Sequence, residues 1–260
     1  MTGAANLGLL GVALKSRQPV MSAWSSFTDP MLAETMVREG FDTVVLDMQH
    51  GAHDLASVQR GITHVSLAGK PCIVRIPVAD FATVSRLFDF GAAAVIAPMI
   101  NNLADAKAFA GFAKYPPLGE RSWGPARALT LTGMAQGDFL KAANGFQLAI
   151  AMIETREALD ALDDILGVAG IDGVFVGPSD LSIALSKGDH VNPDSPLLDE
   201  ALRHIVARAH AHKKTAGIYT FSGAKAAAMI KLGFDWCTIC NDSLLLRLGA
   251  RAELKAARQG

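Results

Sequence analysis

Charged and imidazole side chains stand in this chain where apolar, β-favouring runs stop. One run closes as Leu46-Asp47-Met48-Gln49-His50-Gly51, and another as Arg75-Ile76-Pro77. A third, Ala149-Ile150-Ala151-Met152-Ile153, reaches Glu154. A fourth, Val174-Phe175-Val176, reaches Gly177-Pro178-Ser179-Asp180. Such groups at the end of a buried strand are costly unless they are hydrogen-bonded or used. Two carboxylates with no cysteine and no clustered histidine make a hard ligand set of low count. That set suits Mg²⁺ or Mn²⁺, with Co²⁺ or Zn²⁺ as substitutes. A cation so held is a Lewis acid for a bidentate oxygen ligand such as a 2-oxo carboxylate. Arg75 near the keto oxygen would stabilise the charge developing there, and His50 would move protons near neutral pH. A Schiff-base route needs lysine at a strand end, and Lys70, Lys107, Lys114 and Lys231 fall in helices or loops instead.

Each residue also has a plainer reading. Asp180 can cap the helix that follows it, and Glu154 can sit favourably against the dipole of the next one. His53, His64, His190, His204, His210 and His212 read as structural or surface histidines. His50 differs because it follows a buried strand and precedes a glycine. Coincidence at one rim is what favours a site.

That rim requires strands. Short apolar runs alternate with amphipathic stretches of helical length along the whole chain. The strand-like runs are Val20–Trp24, Thr43–Gln49, Pro71–Pro77, Ala94–Ile100, Leu148–Glu154, Gly173–Gly177, Thr215–Thr220 and Trp236–Asn241. Helical patterns follow at Pro30–Glu39, Leu55–Leu67, Phe81–Phe90, Leu103–Lys114 and Arg156–Val168. They continue at Asp180–Ser186, Leu197–His212, Gly223–Lys231 and Ser243–Arg258. Gly40, Gly69, Gly91, Gly170 and Gly233 fall where helices should stop. Apolar strands each followed by a helix imply a parallel sheet covered on both faces, and eight such units close into a (β/α)₈ TIM barrel. Chemistry in that barrel belongs at the C-terminal ends of the strands.

With 260 residues, half of them hydrophobic and 19% charged, the chain can bury one large core. No proline- or serine-rich linker divides it, so residues 1–260 are expected to form a single barrel domain behind a short N-terminal lead-in helix. Net charge is −1 with no basic block, which argues against nucleic acid as a partner. No GxGxxG or P-loop motif is present, which argues against nucleotide binding. The spacing Cys237-Thr-Ile-Cys240 lies inside an apolar run with no second Cys/His pair nearby. With Cys72 it reads as buried thiols of a reducing compartment. Leu7–Leu14 lacks a basic region ahead of it, and no apolar run is long enough to span a bilayer, so the expected location is the cytoplasm. The stretch Tyr115–Thr132 reads as one long ordered loop at an active site or interface, carrying Arg121, Trp123 and Arg127.

Asp47-Met-Gln-His50-Gly, Arg75-Ile-Pro, Tyr115-Pro-Pro-Leu-Gly-Glu-Arg, Ile153-Glu154-Thr and Phe175-Val-Gly-Pro-Ser-Asp180-Leu-Ser keep an order and spacing that resembles the HpcH/HpaI aldolase family. These are class II, metal-dependent pyruvate aldolases, and the likeness spans nearly the whole chain. The resemblance implies that Glu154 and Asp180 hold the metal and that His50 is the acid/base. It also implies that Asp89, in Phe88-Asp89-Phe90-Gly91, partners His50, and that Arg75, oriented by Asp47, stabilises the enolate. Ser179 matches a position whose backbone amide holds the substrate carboxylate. The implied activity is reversible cleavage of 4-hydroxy-2-oxo acids to pyruvate or hydroxypyruvate and an aldehyde. The implied assembly is a homo-hexamer, with the last helix exchanged between barrels, although Ser243–Arg258 fits a closing eighth helix equally well. Met152 stands where the family often has Gln, and Gln49 where it often has Glu, which leaves the natural substrate open. Two rival readings remain. Citryl- or malyl-thioester lyases share related motifs but need a coenzyme A groove, and none is evident. A non-catalytic barrel serving as a binding module would be expected to have lost Glu154, Asp180, Arg75 or His50.

Overall fold

Local chemistry marks most element boundaries. Side chains of Asp29, Asp54, Asn102, Ser195 and Ser222 accept hydrogen bonds from the first turns of the helices they precede. Gly91 and Gly233 close helices in the left-handed conformation, at φ 104° and 118°. Gly170 is different, since its helix is already capped by Val168. It is glycine because a Cβ there would lie 2.8 Å from the Ala110 Cβ.

A computed structural model describes residues 4–259. Helix α1 (Ala4–Lys15) leads into β1 (Val20–Ser25), followed by α2 (Pro30–Arg38), β2 (Thr43–Asp47) and α3 (Leu55–Leu67). Next come β3 (Cys72–Arg75), α4 (Phe81–Phe90) and β4 (Ala94–Ala97). Three helices, α5 (Leu103–Ala113), α6 (Ala126–Thr132) and α7 (Gln136–Phe146), precede β5 (Leu148–Ile153). Helices α8 (Arg156–Asp160) and α9 (Leu162–Gly167) lead to β6 (Gly173–Val176), then α10 (Pro178–Leu185) and α11 (Pro196–Ala211). The chain ends with β7 (Thr215–Thr220), α12 (Gly223–Leu232), β8 (Trp236–Ile239) and α13 (Asp242–Gln259). All eight strands are parallel and pair in sequence order, with β8 closing on β1. This is the (β/α)₈ barrel expected.

The core has two layers. Leu46, Val74, Val95, Val174 and Ile218 pack outward against the helices. Val45, Ile73, Ile96, Ile150, Phe175 and Trp236 fill the barrel interior. Leu7, Leu10 and Leu14 of α1 belong to that inner cluster, so the lead-in helix plugs the N-terminal mouth. The three cysteines are free and buried, and burial pushes the Cys237 thiol up to about 12.

Several boundaries differ from the sequence reading. Strands stop at Asp47, Arg75, Ala97, Ile153, Val176 and Ile239, so His50 and Glu154 lie in rim loops while Ser179 and Asp180 open α10. The helix expected over Arg156–Val168 divides at Ala161. Tyr115–Thr132 is not one loop: residues 126–132 form α6, hidden in the sequence by Gly124-Pro125 before it. Nor does the segment line the catalytic mouth. Arg121 donates to Asp89 Oδ1 at 2.6 Å and to Gln147 Oε1 at 2.7 Å, at the end where β5 begins. The eighth helix does not close the barrel wall of its own chain. In α13 only Asp242 is buried, and Leu246, Leu248 and Leu254 are 64%, 51% and 53% exposed. Among the described residues, no helix is long and apolar enough to cross a membrane.

Candidate active site

Register sets the centre of the site. Asp47, last in β2, is the strand partner of Arg75, last in β3, so a carboxylate and a guanidinium lie side by side at the C-terminal rim. Arg75 Nε donates to Asp47 Oδ1 at 2.8 Å and Nη2 to Oδ2 at 2.6 Å, a bidentate pair of buried groups. The indole Nε1 of Trp24 also donates to Asp47 Oδ2, at 3.2 Å, and the guanidinium lies 4.7 Å from the Trp24 ring centroid. Burial alone would raise the Asp47 carboxyl, but Arg75 and the Gln49 and Trp24 N–H groups outweigh it and hold the pKa below its ordinary value. The result is a fixed guanidinium whose Nη1 donates to none of the described residues.

Glu154 follows β5 directly and is 3% exposed. Its Oε1 accepts from the Met99 backbone N–H at 2.8 Å, from a residue held at φ 54°. Its Oε2 accepts no hydrogen bond from the described residues and faces Gly177, where a Cβ would come within 2.6 Å of it. A side chain at 177 would therefore occupy the space beside this carboxylate. Burial pushes Glu154 up to about 7. The Met99 N–H opposes that rise, Asp180 adds to it, and Arg75 again opposes it. Asp180 lies in the first turn of α10, exposed at the mouth.

Asp47, His50, Arg75, Met152, Gly177, Ser179 and Asp180 line a cavity of about 290 Å³, and Glu154 abuts Gly177 in its wall. His50 is exposed on the rim, and its backbone N–H reaches Asp47 Oδ1 at 3.4 Å. Ser179 is in the first turn of α10, where backbone N–H groups favour an anion. Met152 is buried, and its Cε lies 2.8 Å from where a Cβ on Gly177 would be.

Of the expected residues, Glu154 is not in the lining itself but abuts Gly177, which is, and Asp89 stays outside altogether. It sits near the C-terminal end of α4, paired with Arg121 at 2.6 Å, at the opposite end of the barrel from His50. Sequence reading missed Trp24, Ser26, Tyr219, Phe221 and Asn241, which complete the lining from β1, β7 and β8. Trp24 and Tyr219 lie at or near the ends of strand-like runs, a position that signals a mouth. Nothing in the sequence distinguishes Ser26 or Phe221 from ordinary loop residues.

The two carboxylates are a fit for a divalent cation. Among the described residues no three His, Cys, Asp or Glu side chains gather to hold one, so a cation here would rely on Glu154, Asp180, water and substrate. The uncompensated Glu154 carboxyl beside Asp180 is what such a charge would relieve.

Residues 21–241 match the family model for HpcH/HpaI aldolase/citrate lyase. The chain belongs to that family. Consistent with membership, it is 37% identical over 241 residues to the hydroxypyruvate/pyruvate aldolase of Rhizorhabdus wittichii, covering 93% of this chain and 95% of the relative. It is 32% identical over 248 residues to the 4-hydroxy-2-oxo-heptane-1,7-dioate aldolase of Salmonella arizonae, covering 95% and 93%. Its fold matches the crystal structure of an HpcH/HpaI aldolase from Desulfitobacterium hafniense with a TM-score of 0.88 at 25% identity, covering 96% and 97%. This HpcH/HpaI chain is therefore an aldolase, a carbon–carbon lyase of class II.

Proposed function

We propose that the enzyme reversibly cleaves 4-hydroxy-2-oxo acids to pyruvate or hydroxypyruvate and an aldehyde, with a divalent cation held by Glu154 and Asp180. The observation that carries this reading is Oε2 of the buried Glu154, set against Gly177 with no hydrogen-bond donor among the described residues. Gly177 lines the same mouth as Asp180 and a fixed Arg75. When bound, Mg²⁺ or Mn²⁺ supplies Lewis-acid polarisation of the 2-oxo acid. Arg75, held by Asp47 and Trp24, directs its uncommitted N–H toward the keto oxygen, where negative charge grows on enolisation. The first turn of α10 at Ser179 receives the substrate carboxylate. His50 on the rim moves the proton between solvent and the reacting atoms. Met152 offers a thioether wall with no strong donor, which leaves room for the substituted nucleophile hydroxypyruvate beside pyruvate.

Asp89 can partner His50 only from another subunit, because within one chain the two lie at opposite barrel ends. The exposed leucines of α13 support a helix that packs on a neighbouring barrel, and we assign it to exchange within a dimer of a hexamer. Light scattering of the full chain and of a variant cut after Asp242 tests this. Pyruvate release from a panel of 4-hydroxy-2-oxo acids, with and without EDTA, tests the activity. Cleavage abolished by EDTA and restored by Mg²⁺ or Mn²⁺ is expected, and cleavage indifferent to EDTA would refute the cation.

A further inference from the structure

A second cavity lies away from the catalytic one. A space of about 410 Å³ opens at the N-terminal mouth, between the end of α1 and the loops ahead of β6 and β7. Its walls carry Lys15, Arg17, His212, Lys213 and Lys214 against one carboxylate, Asp172. That carboxylate meets Lys114 Nζ at 2.6 Å and accepts from the Ala149 N–H at 2.7 Å, both through Oδ2. Arg17 Nη1 meets Asp235 at 2.8 Å, and His212 meets Asp163 at 3.1 Å.

Three ammonium groups therefore face the cavity without a carboxylate of their own. Lys15 Nζ reaches only the Gly145 carbonyl, at 3.4 Å. Lys214 Nζ donates to the Val168 carbonyl at 2.6 Å. Lys213 has no side-chain partner among the described residues, and its backbone takes the left-handed φ of 59° that L-residues rarely adopt. Burial pushes Lys214 down to about 8, against Asp172 and together with the Lys114 charge. Positive charge is concentrated in a part-buried concavity of the size that holds small ligands.

We propose that this cavity binds a small dianionic phosphate ester. The uncommitted donors are ammonium point charges, which suit a tetrahedral phosphate. The one guanidinium, Arg17, gives only Nη1 to Asp235, at 2.8 Å, so its remaining N–H groups can add to the same anion. The site lies at the opposite end of β5 and β6 from Glu154 and Asp180, so it is separate from the reacting groups.

Glycerol 3-phosphate is titrated into the full-length protein by calorimetry at pH 7 in EDTA, with succinate as the carboxylate control. Saturable binding of one molecule per chain is expected. It should weaken at least tenfold in the double variant Lys15→Ala/Lys213→Ala, two exposed positions whose replacement leaves aldolase turnover unchanged. It should persist in Arg75→Ala, which excludes the catalytic mouth as the anion site. Absence of saturable binding, equal binding by the lysine double variant, loss in Arg75→Ala, or equal affinity for succinate would each overturn the proposal.

Discussion

At the N-terminal mouth, Lys114 is 1% exposed, yet its ammonium meets Asp172 and the carbonyls of Asn144 and Gln147 at 3.0 and 2.7 Å. Beside it, Arg121 meets Asp89 and Gln147 and lies 4.4 Å from the Tyr115 ring centroid. At the C-terminal mouth Glu154 is buried almost as deeply, but it receives one backbone N–H and faces a second carboxylate. Both ends bury ionisable groups. Lys114 and Arg121 each meet a carboxylate where they stand, although burial still pulls the Lys114 pKa down. Glu154 instead faces a like charge that an incoming cation can offset.

The contrast can be broken at either end. Glu154→Ala should take cleavage to background and abolish calorimetric Mg²⁺ or Mn²⁺ binding while the barrel stays folded; unchanged metal affinity would remove Glu154 from the ligand set. Lys114→Met should do the reverse. It strands Asp172 and costs about 3 kcal/mol of stability in urea denaturation, with turnover per folded molecule preserved. Lost turnover at full stability would place Lys114 in the chemistry.

Glu154 has a pH signature in EDTA. Its folded value of about 7 lies above the ordinary 4.5, so between these pH values the folded chain holds a proton that the unfolded chain has released. Stability should fall as pH rises through that window, by about 2 to 3 kcal/mol, and level off above it. Glu154→Gln should lack this fall, and a matching fall in that variant would assign it to other groups. The smallest effect is expected at Met152. Met152→Gln adds a donor and should lower the ratio of hydroxypyruvate to pyruvate rates by a few fold, about 1 kcal/mol. An unchanged ratio would mean that the side chain does not shape the nucleophile site.

The barrel was legible because strand and helix periods alternate without interruption, and because Asp47, Arg75, Glu154 and Asp180 interrupt apolar runs at corresponding points. Parallel register then converts those interruptions into one rim, as the Asp47 and Arg75 pairing illustrates. Residues 126–146 were less legible. Their helices pack under the barrel through Phe139, Ala143 and Tyr115, and this tertiary burial overrides the Gly and Pro signals ahead of them. The Met99 N–H on Glu154 was invisible, since a backbone donor from a left-handed loop residue has no sequence signature. Asp89 is different. As the penultimate residue of α4, which runs back from the end of β3, it belongs at the N-terminal end of the barrel. Its expected pairing with His50 rests on family resemblance and not on position.

The central claim is that the C-terminal mouth enolises a 2-oxo acid, with Arg75 stabilising charge and His50 moving the proton. Deuterium exchange into pyruvate, followed by NMR with Mg²⁺ or Mn²⁺ and no aldehyde, isolates that step. Wild-type enzyme should exchange. Arg75→Lys, which keeps the charge but loses the planar fork, should be slower by about a hundredfold with the same pH profile. His50→Ala should be slower by about a hundredfold or more, with a profile flattened near neutrality. Exchange at the wild-type rate in both variants would contradict the claim.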